Sequence, residues 1–327
     1  MLSVFKKHSV GDELLLFLQI KKHLLQKPTK RLMEIHKIEA GTFQCDGGAI
    51  FGVVPKRVWQ KRYPADRDNF CKMAMRCLYI AVGDKRIIIE TGAGDKQLQY
   101  LKYYNFQDVL PLDKALLAFG TACEDITDVI LTHLHFDHCG GCTHNATDGT
   151  IRMRFPNAAH WVGKTQWDNF LNPNIRESDS YFVENMAIVE QSGQLRLIES
   201  DRFLCPEIEL RIFDGHTVGQ LVPYITLPNQ TLVYVGDVIP MSANIPLAWI
   251  SAYDTHPIRS MEEKQRLLDE AIEKAQMLFF GHDAYTECCT VVSTNGKYRI
   301  GETFDFDTVI TNSVCRYVRK DERKRKR

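Results

Sequence analysis

Apolar residues recur along this chain in short runs that stop at glycine, proline, aspartate or histidine, and these runs set the predicted elements. Ile35-His36-Lys37-Ile38 begins a strand just after Met33, Asp46-Gly47-Gly48 marks a turn, and the apolar stretch Ala49 to Val54 stops at Pro55. Lys56 to Met75, with Trp59, Tyr63 and Phe70 among charges, reads as a long ordered loop of the kind that forms pocket walls. Cys77 to Val82, Arg86 to Glu90, Ile126 to Thr132 and Ala158 to Val162 read as strands, and Leu112 to Phe119, closed by Gly120, reads as a helix. Lys164 to Phe170 and Ser180 to Val189 read as further helices.

A second strand-rich half is expected from Gln194, with short runs at Gln194 to Ile198, Glu209 to Phe213, Leu221 to Leu227 and Thr231 to Val235. Leu267, Leu268, Ala271, Ile272 and Ala275 recur at helical spacing, so Glu262 to Gln276 is predicted to be an amphipathic helix feeding a strand at Met277 to Phe280. Cys288 and Cys289 are expected on opposite sides of a further strand. Two halves with strands followed by helices predict an α/β protein of two packed sheets between helical layers. No short repeat or low-complexity linker divides them.

Composition changes this picture little: 327 residues, 44% hydrophobic and 25% charged, suit a large globular domain. Charge changes it more. Residues 1–32 carry seven Lys or Arg against two acids, and residues 316–327 carry eight against two. With a formal net charge of zero, the body between them is therefore about −11. An acidic body disfavours nucleic acid, whose binding rests on neutralising phosphates. The chain reads as an N-terminal extension (1–32, with an amphipathic stretch around Leu14 to Leu25), a domain (33–312, Met33 being an alternative start) and a solvated basic tail (313–327). The apolar stretch Leu14 to Leu18 is too short for a signal-peptide core or a membrane span, and the ten cysteines form no small-scaffold framework. A cytoplasmic protein with reduced thiols is expected.

The chemistry concentrates in Thr132-His133-Leu134-His135-Phe136-Asp137-His138-Cys139-Gly140-Gly141, where three imidazoles and a carboxylate follow a buried strand. His and Asp are the donors of a borderline-hard divalent metal. Three later strand ends offer more donors: Asp214-Gly215-His216-Thr217, Gly236-Asp237 and Gly281-His282-Asp283. Rigid strands hand such residues to a cleft. Cys139-Gly140-Gly141-Cys142 has no partner C-x-x-C, and its glycines are attributed to a turn. His160 and His256 read as structural. Phe51, Trp59, Phe136, Trp161 and Trp249 are candidate walls of an apolar pocket, and Asp283 and Tyr285 candidate contacts beside His282. The loops at Phe51 to Tyr63 and Cys142 to Phe155 are expected to carry substrate choice.

Together, Glu90-Thr91-Gly92, the His133 to His138 motif, Gly215-His216-Thr217, Gly236-Asp237 and Gly281-His282 resemble the metallo-β-lactamase superfamily. The resemblance implies a four-layer αβ/βα sandwich and a metallohydrolase. It implies one metal on His133, His135 and His216, a second on Asp137, His138 and His282, and Asp237 bridging the two. The ions would be zinc, with manganese, iron or cobalt also suited to this donor set. Asp46 to Pro55, Trp59 and Pro64-Ala65-Asp66 are similar to the branch of quorum-quenching N-acyl-homoserine lactonases and methyl parathion hydrolase. That likeness implies a small-molecule lactone or ester, opened by a metal-activated hydroxide that Asp137 and Asp237 position, and is compatible with a homodimer. The alternatives are an organophosphate triesterase and an iron-dependent oxidoreductase on the same fold. Two departures stand out: Glu90 replaces the family's usual Asp, and Pro240 stands where many lactonases carry Tyr.

Overall fold

The computed structural model describes residues 33–313, so the extension and the basic tail lie outside the described residues. One mixed sheet has the order β1-β2-β3-β4-β7-β8. Its strands are β1 (Met33–Asp46), β2 (Phe70–Val82), β3 (Lys85–Ile89), β4 (Asp128–Ile130), β7 (Ala159–Gly163) and β8 (Leu195–Ile198). The first three are antiparallel neighbours, and β3, β4, β7 and β8 run parallel. A small hairpin, β5 (Thr143–Asn145) and β6 (Ile151–Met153), stands apart.

The other sheet contains β9 (Arg202–Cys205), β10 (Ile208–Phe213), β11 (Gln220–Thr226), β12 (Thr231–Tyr234), β13 (Met277–Phe279), β14 (Cys288–Thr294) and β15 (Lys297–Phe304). They lie in reverse numerical order, antiparallel except for the parallel pair β12 and β13.

Strands that are apolar on both faces explain the layering. In β2, Leu78, Ile80 and Val82 face the second sheet, where they meet a core containing Leu210, Leu221 and Phe279, while Cys77, Tyr79 and Ala81 pack under the helices of the outer layer. In β11, Leu221 and Ile225 point inward, and Val222 and Tyr224 meet Leu267, Leu268 and Ala271 of the helix Pro257–Glu273. Alternating side chains thus bury both faces of each sheet, which requires a helical layer outside each. The result is the four-layer sandwich.

Three expectations need correction. The boundary between halves falls after β8, not at Gln194, because β8 pairs parallel with β7 and completes the first sheet. The long loop expected from Lys56 to Met75 shrinks to residues 60–69, between the helix Lys56–Trp59 and the first strand residues of β2, and the apolar run at Ala49 begins in the helix Gly47–Phe51. The helix expected over Ser180 to Val189 is broken into the turns Ser178–Ser180 and Val183–Asn185 and the helix Ala187–Gln191. Tyr181 and Phe182 are drawn toward different partners, a buried Glu177 network and the Phe136 ring, and one helical face cannot serve both.

The helix Pro257–Glu273 also anchors the chain before it. Lys264 is fully buried, and its ammonium donates to the carbonyls of Asn244, Pro246 and Trp249 at 2.9, 3.1 and 3.0 Å. Replacing Lys264 by Met leaves three carbonyls without that donor, and a loss of about 3 kcal/mol in stability is expected, read as a lower thermal midpoint.

Candidate metal centre

Four strands end at the same rim and deliver the candidate donors within three residues of their last hydrogen-bonded position. β4 leads into His133, β10 into His216, β12 into Asp237 and β13 into His282. His135 precedes the one-turn helix Phe136–Cys139, which carries Asp137 and His138. The glycines that follow serve close approach rather than a turn. A Cβ on Gly140 would stand 2.1 Å from the Ala93 carbonyl oxygen, and one on Gly141 2.2 Å from that of Thr91. This packing presses the helix against the Glu90 loop, where Thr91 also donates to the His138 carbonyl.

All seven predicted donors come together. His133 Nε2 lies 3.0 Å from His135 Nδ1, which lies 3.3 Å from His216 Nε2. His138 Nε2 lies 3.1 Å from His282 Nε2. Asp137 Oδ2 is 3.5 Å from His282 Nε2 and 3.6 Å from His138 Nε2. Asp237 stands between the two groups, with Oδ1 3.2 Å from His282 Nε2 and Oδ2 3.5 Å from His216 Nε2. The trios His133/His135/His216, His133/His138/Asp237 and Asp137/His138/His282 each gather one donor atom per residue within 4.8 Å.

The partners behind the rings determine which nitrogen faces inward. His216 Nδ1 meets Asp254 Oδ1 at 2.9 Å, His282 Nδ1 meets the Ala74 carbonyl at 2.8 Å, and His138 Nδ1 meets Glu90 Oε2. Each partner can only accept from an imidazole, so those nitrogens hold the protons and the inward Nε2 atoms present lone pairs. His135 follows the same logic in reverse, with Nε2 3.6 Å from Glu177 Oε2 and Nδ1 inward. Lone pairs and carboxylates at these separations repel unless a cation lies among them. Asp237 Oδ1 is buried without a hydrogen-bond partner, as expected where the mutual arrangement is set by something other than hydrogen bonds.

The electrostatics make the same demand. Burial lowers the His133 pKa well below the ordinary histidine range, and the imidazoles of His138, His135 and His216 lower it further. At His138 burial also opposes the charge, yet Asp137, Glu90 and Asp237 outweigh it and carry the pKa up to about 10. Burial would raise Asp237, but His282 and His138 hold it well below the usual carboxylate range. The acidic groups around His138 thus favour positive charge beside them, and divalent ions fit the donor types.

A cavity of about 50 Å³, partly open to solvent, adjoins the cluster. Its apolar wall includes Phe43, Ile50, Met73, Phe136 and Pro240. Its polar wall includes Arg176, Glu177, Ser180, Ser251 and Tyr253. Of the aromatic candidates, Phe136 lines this space. Phe51 and Trp59 stack on each other behind the wall at 4.8 Å, with Trp249 edge-on to Phe51 at 5.9 Å. Trp161 packs with the intersheet core and donates to Asp128. Asp283 holds a turn through Ser242, Tyr285 and Thr286, and Tyr285 is exposed against Tyr63. His160 bonds the Ala158 carbonyl, and His256 precedes the helix Pro257–Glu273.

The Cys142 to Phe155 segment, expected to shape the cavity, forms the β5-β6 hairpin away from it, where Arg154 pairs with Asp113. Its place is taken by residues 174–181 and 249–254. Glu177, Asp254, Arg176 and Tyr253 went unnoticed in the sequence because they lie in irregular segments without periodicity. A carboxylate beside His256 was the one faint signal for Asp254.

A two-sheet sandwich with a strand-end cluster of histidines and aspartates defines a metal-dependent hydrolase. The profile of the Metallo-beta-lactamase superfamily matches residues 76–282, and the chain belongs to that superfamily. A probable metal-dependent hydrolase from Staphylococcus aureus is similar over 84% of this chain and 98% of its own, at 30% identity and a TM-score of 0.74. AidC, a dizinc quorum-quenching lactonase, shares the fold over 84% of this chain and 98% of its own, at 20% identity and a TM-score of 0.70. Among curated proteins, Integrator complex subunit 11 of Danio rerio is 22% identical over 185 residues, which is 53% of this chain. The match spans 29% of that relative's length. Among the described residues no helix is long and apolar enough to cross a membrane.

Proposed function

We propose that the protein is a dinuclear hydrolase that opens a lactone or cleaves a related small carboxylic ester. The observation that carries the reading is the pair of donor groups meeting at Asp237 beside a partly open cavity with apolar and polar walls. His133, His135 and His216 would hold one ion, Asp137, His138 and His282 the other, with Asp237 shared. When bound, two divalent ions supply a water activated near neutral pH and a Lewis acid for the substrate's oxygen.

The chain's own groups do the rest. Asp137 and Asp237 face the cavity and orient the attacking water, and Asp237 passes the proton to the departing oxygen. Pro240 brings no hydroxyl to the cavity, whereas Tyr104 and Tyr253, which line it, offer phenols that can donate to the substrate. The apolar wall would seat an acyl chain and exclude water.

Zinc and related ions are distinguished by elemental analysis of the purified chain. A panel of acyl-homoserine lactones, simple lactones, aryl esters and phosphotriesters then tests the substrate class. Lactone or ester turnover is expected. Rapid triester cleavage with no lactone or ester activity would replace this reading by an organophosphate hydrolase.

Glu90 offers a sharper check. Its Oε1 accepts from Thr132 N at 2.5 Å while Oε2 meets His138, so the longer side chain spans both anchors. Glu90→Asp, although it installs the commoner residue, is expected to weaken metal binding about tenfold, because one anchor is lost. Chelator competition reads the change.

A further inference from the structure

We infer that Arg176 recognises a carboxylate at the end of the substrate remote from the bond being cleaved, so that the preferred substrate is an ester or lactone bearing a free carboxylate. The inference deepens the hydrolase reading and rests on it.

Among the described residues Arg176 is the one Lys or Arg that lines the cavity. The other charged side chains there are Asp137, Glu177, Asp237 and histidines of the cluster. Glu177 is already engaged, accepting from Tyr181 at 2.5 Å and from Thr217 at 2.7 Å, and it does not pair with its neighbour. Arg176 instead donates through Nη2 to the carbonyl of Ala252, across the cavity mouth. Among the described residues no carboxylate stands within ion-pair distance of it.

The Ala252 contact uses part of a five-donor fork and fixes the rest of it at the mouth. A planar fork matches a carboxylate with two parallel hydrogen bonds. The wall that this fork shares with the donor cluster includes the apolar side chains Ile50, Phe136 and Pro240. The cavity therefore combines one guanidinium, the donor cluster and an apolar wall, a combination that fits a short carbon chain with a reactive carbonyl and an anion.

The test uses the full chain loaded with zinc and two esters sharing a leaving group, 4-nitrophenyl butyrate and mono(4-nitrophenyl) glutarate. The wild type is expected to prefer the glutarate ester at least tenfold in kcat/KM, through KM. Arg176→Met should abolish that ratio, and Arg176→Lys should retain part of it. In parallel, calorimetry with succinate, glutarate, adipate and pimelate against the matching monocarboxylates should show one diacid binding at least tenfold more tightly to the wild type than to Arg176→Met.

A ratio that survives in Arg176→Met, with both esters slowed equally and the melting midpoint lowered, would make Arg176 a latch between loops and overturn the inference. A wild type with no preference in either assay would overturn it as well. Failure of the hydrolase reading looks different: zinc is absent or neither ester is cleaved, and the diacid calorimetry alone then decides for or against anion recognition.

Discussion

Asp237→Asn is expected to lower kcat on the order of 10³-fold and to reduce bound metal below two ions per chain. The carboxylate has one oxygen 3.2 Å from His282 Nε2 and the other 3.5 Å from His216 Nε2, so it touches both donor groups. An amide of the same shape keeps the packing but gives up a charge and one acceptor, and the two sites lose their common wall. Gln220 maintains the geometry: with its amide turned to satisfy both neighbours, its oxygen accepts from Asp237 N at 2.9 Å and Val238 N at 3.3 Å. The variant should therefore fold and melt near the wild type. Two ions per chain and full turnover in Asp237→Asn would remove Asp237 from the role of bridge.

The second large effect is expected at a residue that makes no direct contact with the cavity chemistry. Asp254 is buried behind His216 and accepts from its Nδ1 at 2.9 Å. Without that carboxylate the imidazole is free to carry its proton on Nε2, the atom aimed at the cluster. Asp254→Ala should weaken metal affinity 10- to 100-fold. Competition with a chromophoric chelator measures it, and activity should return when zinc is raised above the new dissociation constant. Recovery at high zinc separates lost orientation from general unfolding. Asp254→Asn should recover little, since an amide can present its NH2 to the ring and favour the wrong tautomer.

These two positions differ in how visible they are before folding. Asp237 is legible because β12 is followed by Val235-Gly236, a local pattern of apolar strand, glycine and donor residue that repeats at His216 and His282. Asp254 sits in an irregular stretch between Tyr253 and Thr255, and its contact with His216 spans 38 residues. The same contrast separates Phe136, which reached the cavity as expected, from Trp161. In Trp161 the pleat of β7 decides the matter, directing the ring to the face that packs on the second sheet.

By itself the sequence determined the two sheets, the amphipathic helix above the second, and the seven candidate donors. Those features are encoded locally, in alternation, helical period and the chemistry of residues at strand ends. Only the tertiary structure decided that β8 joins the first sheet, that Cys142 to Phe155 turns away from the cavity, and that Arg176, Glu177 and Asp254 stand where they do. These outcomes depend on contacts between segments far apart in the chain, and irregular loops carry no period from which such contacts could be read. The His133 to His138 cluster thus announces a metal on its own, while the residues that orient it and the cation that faces its substrate are gathered by the fold.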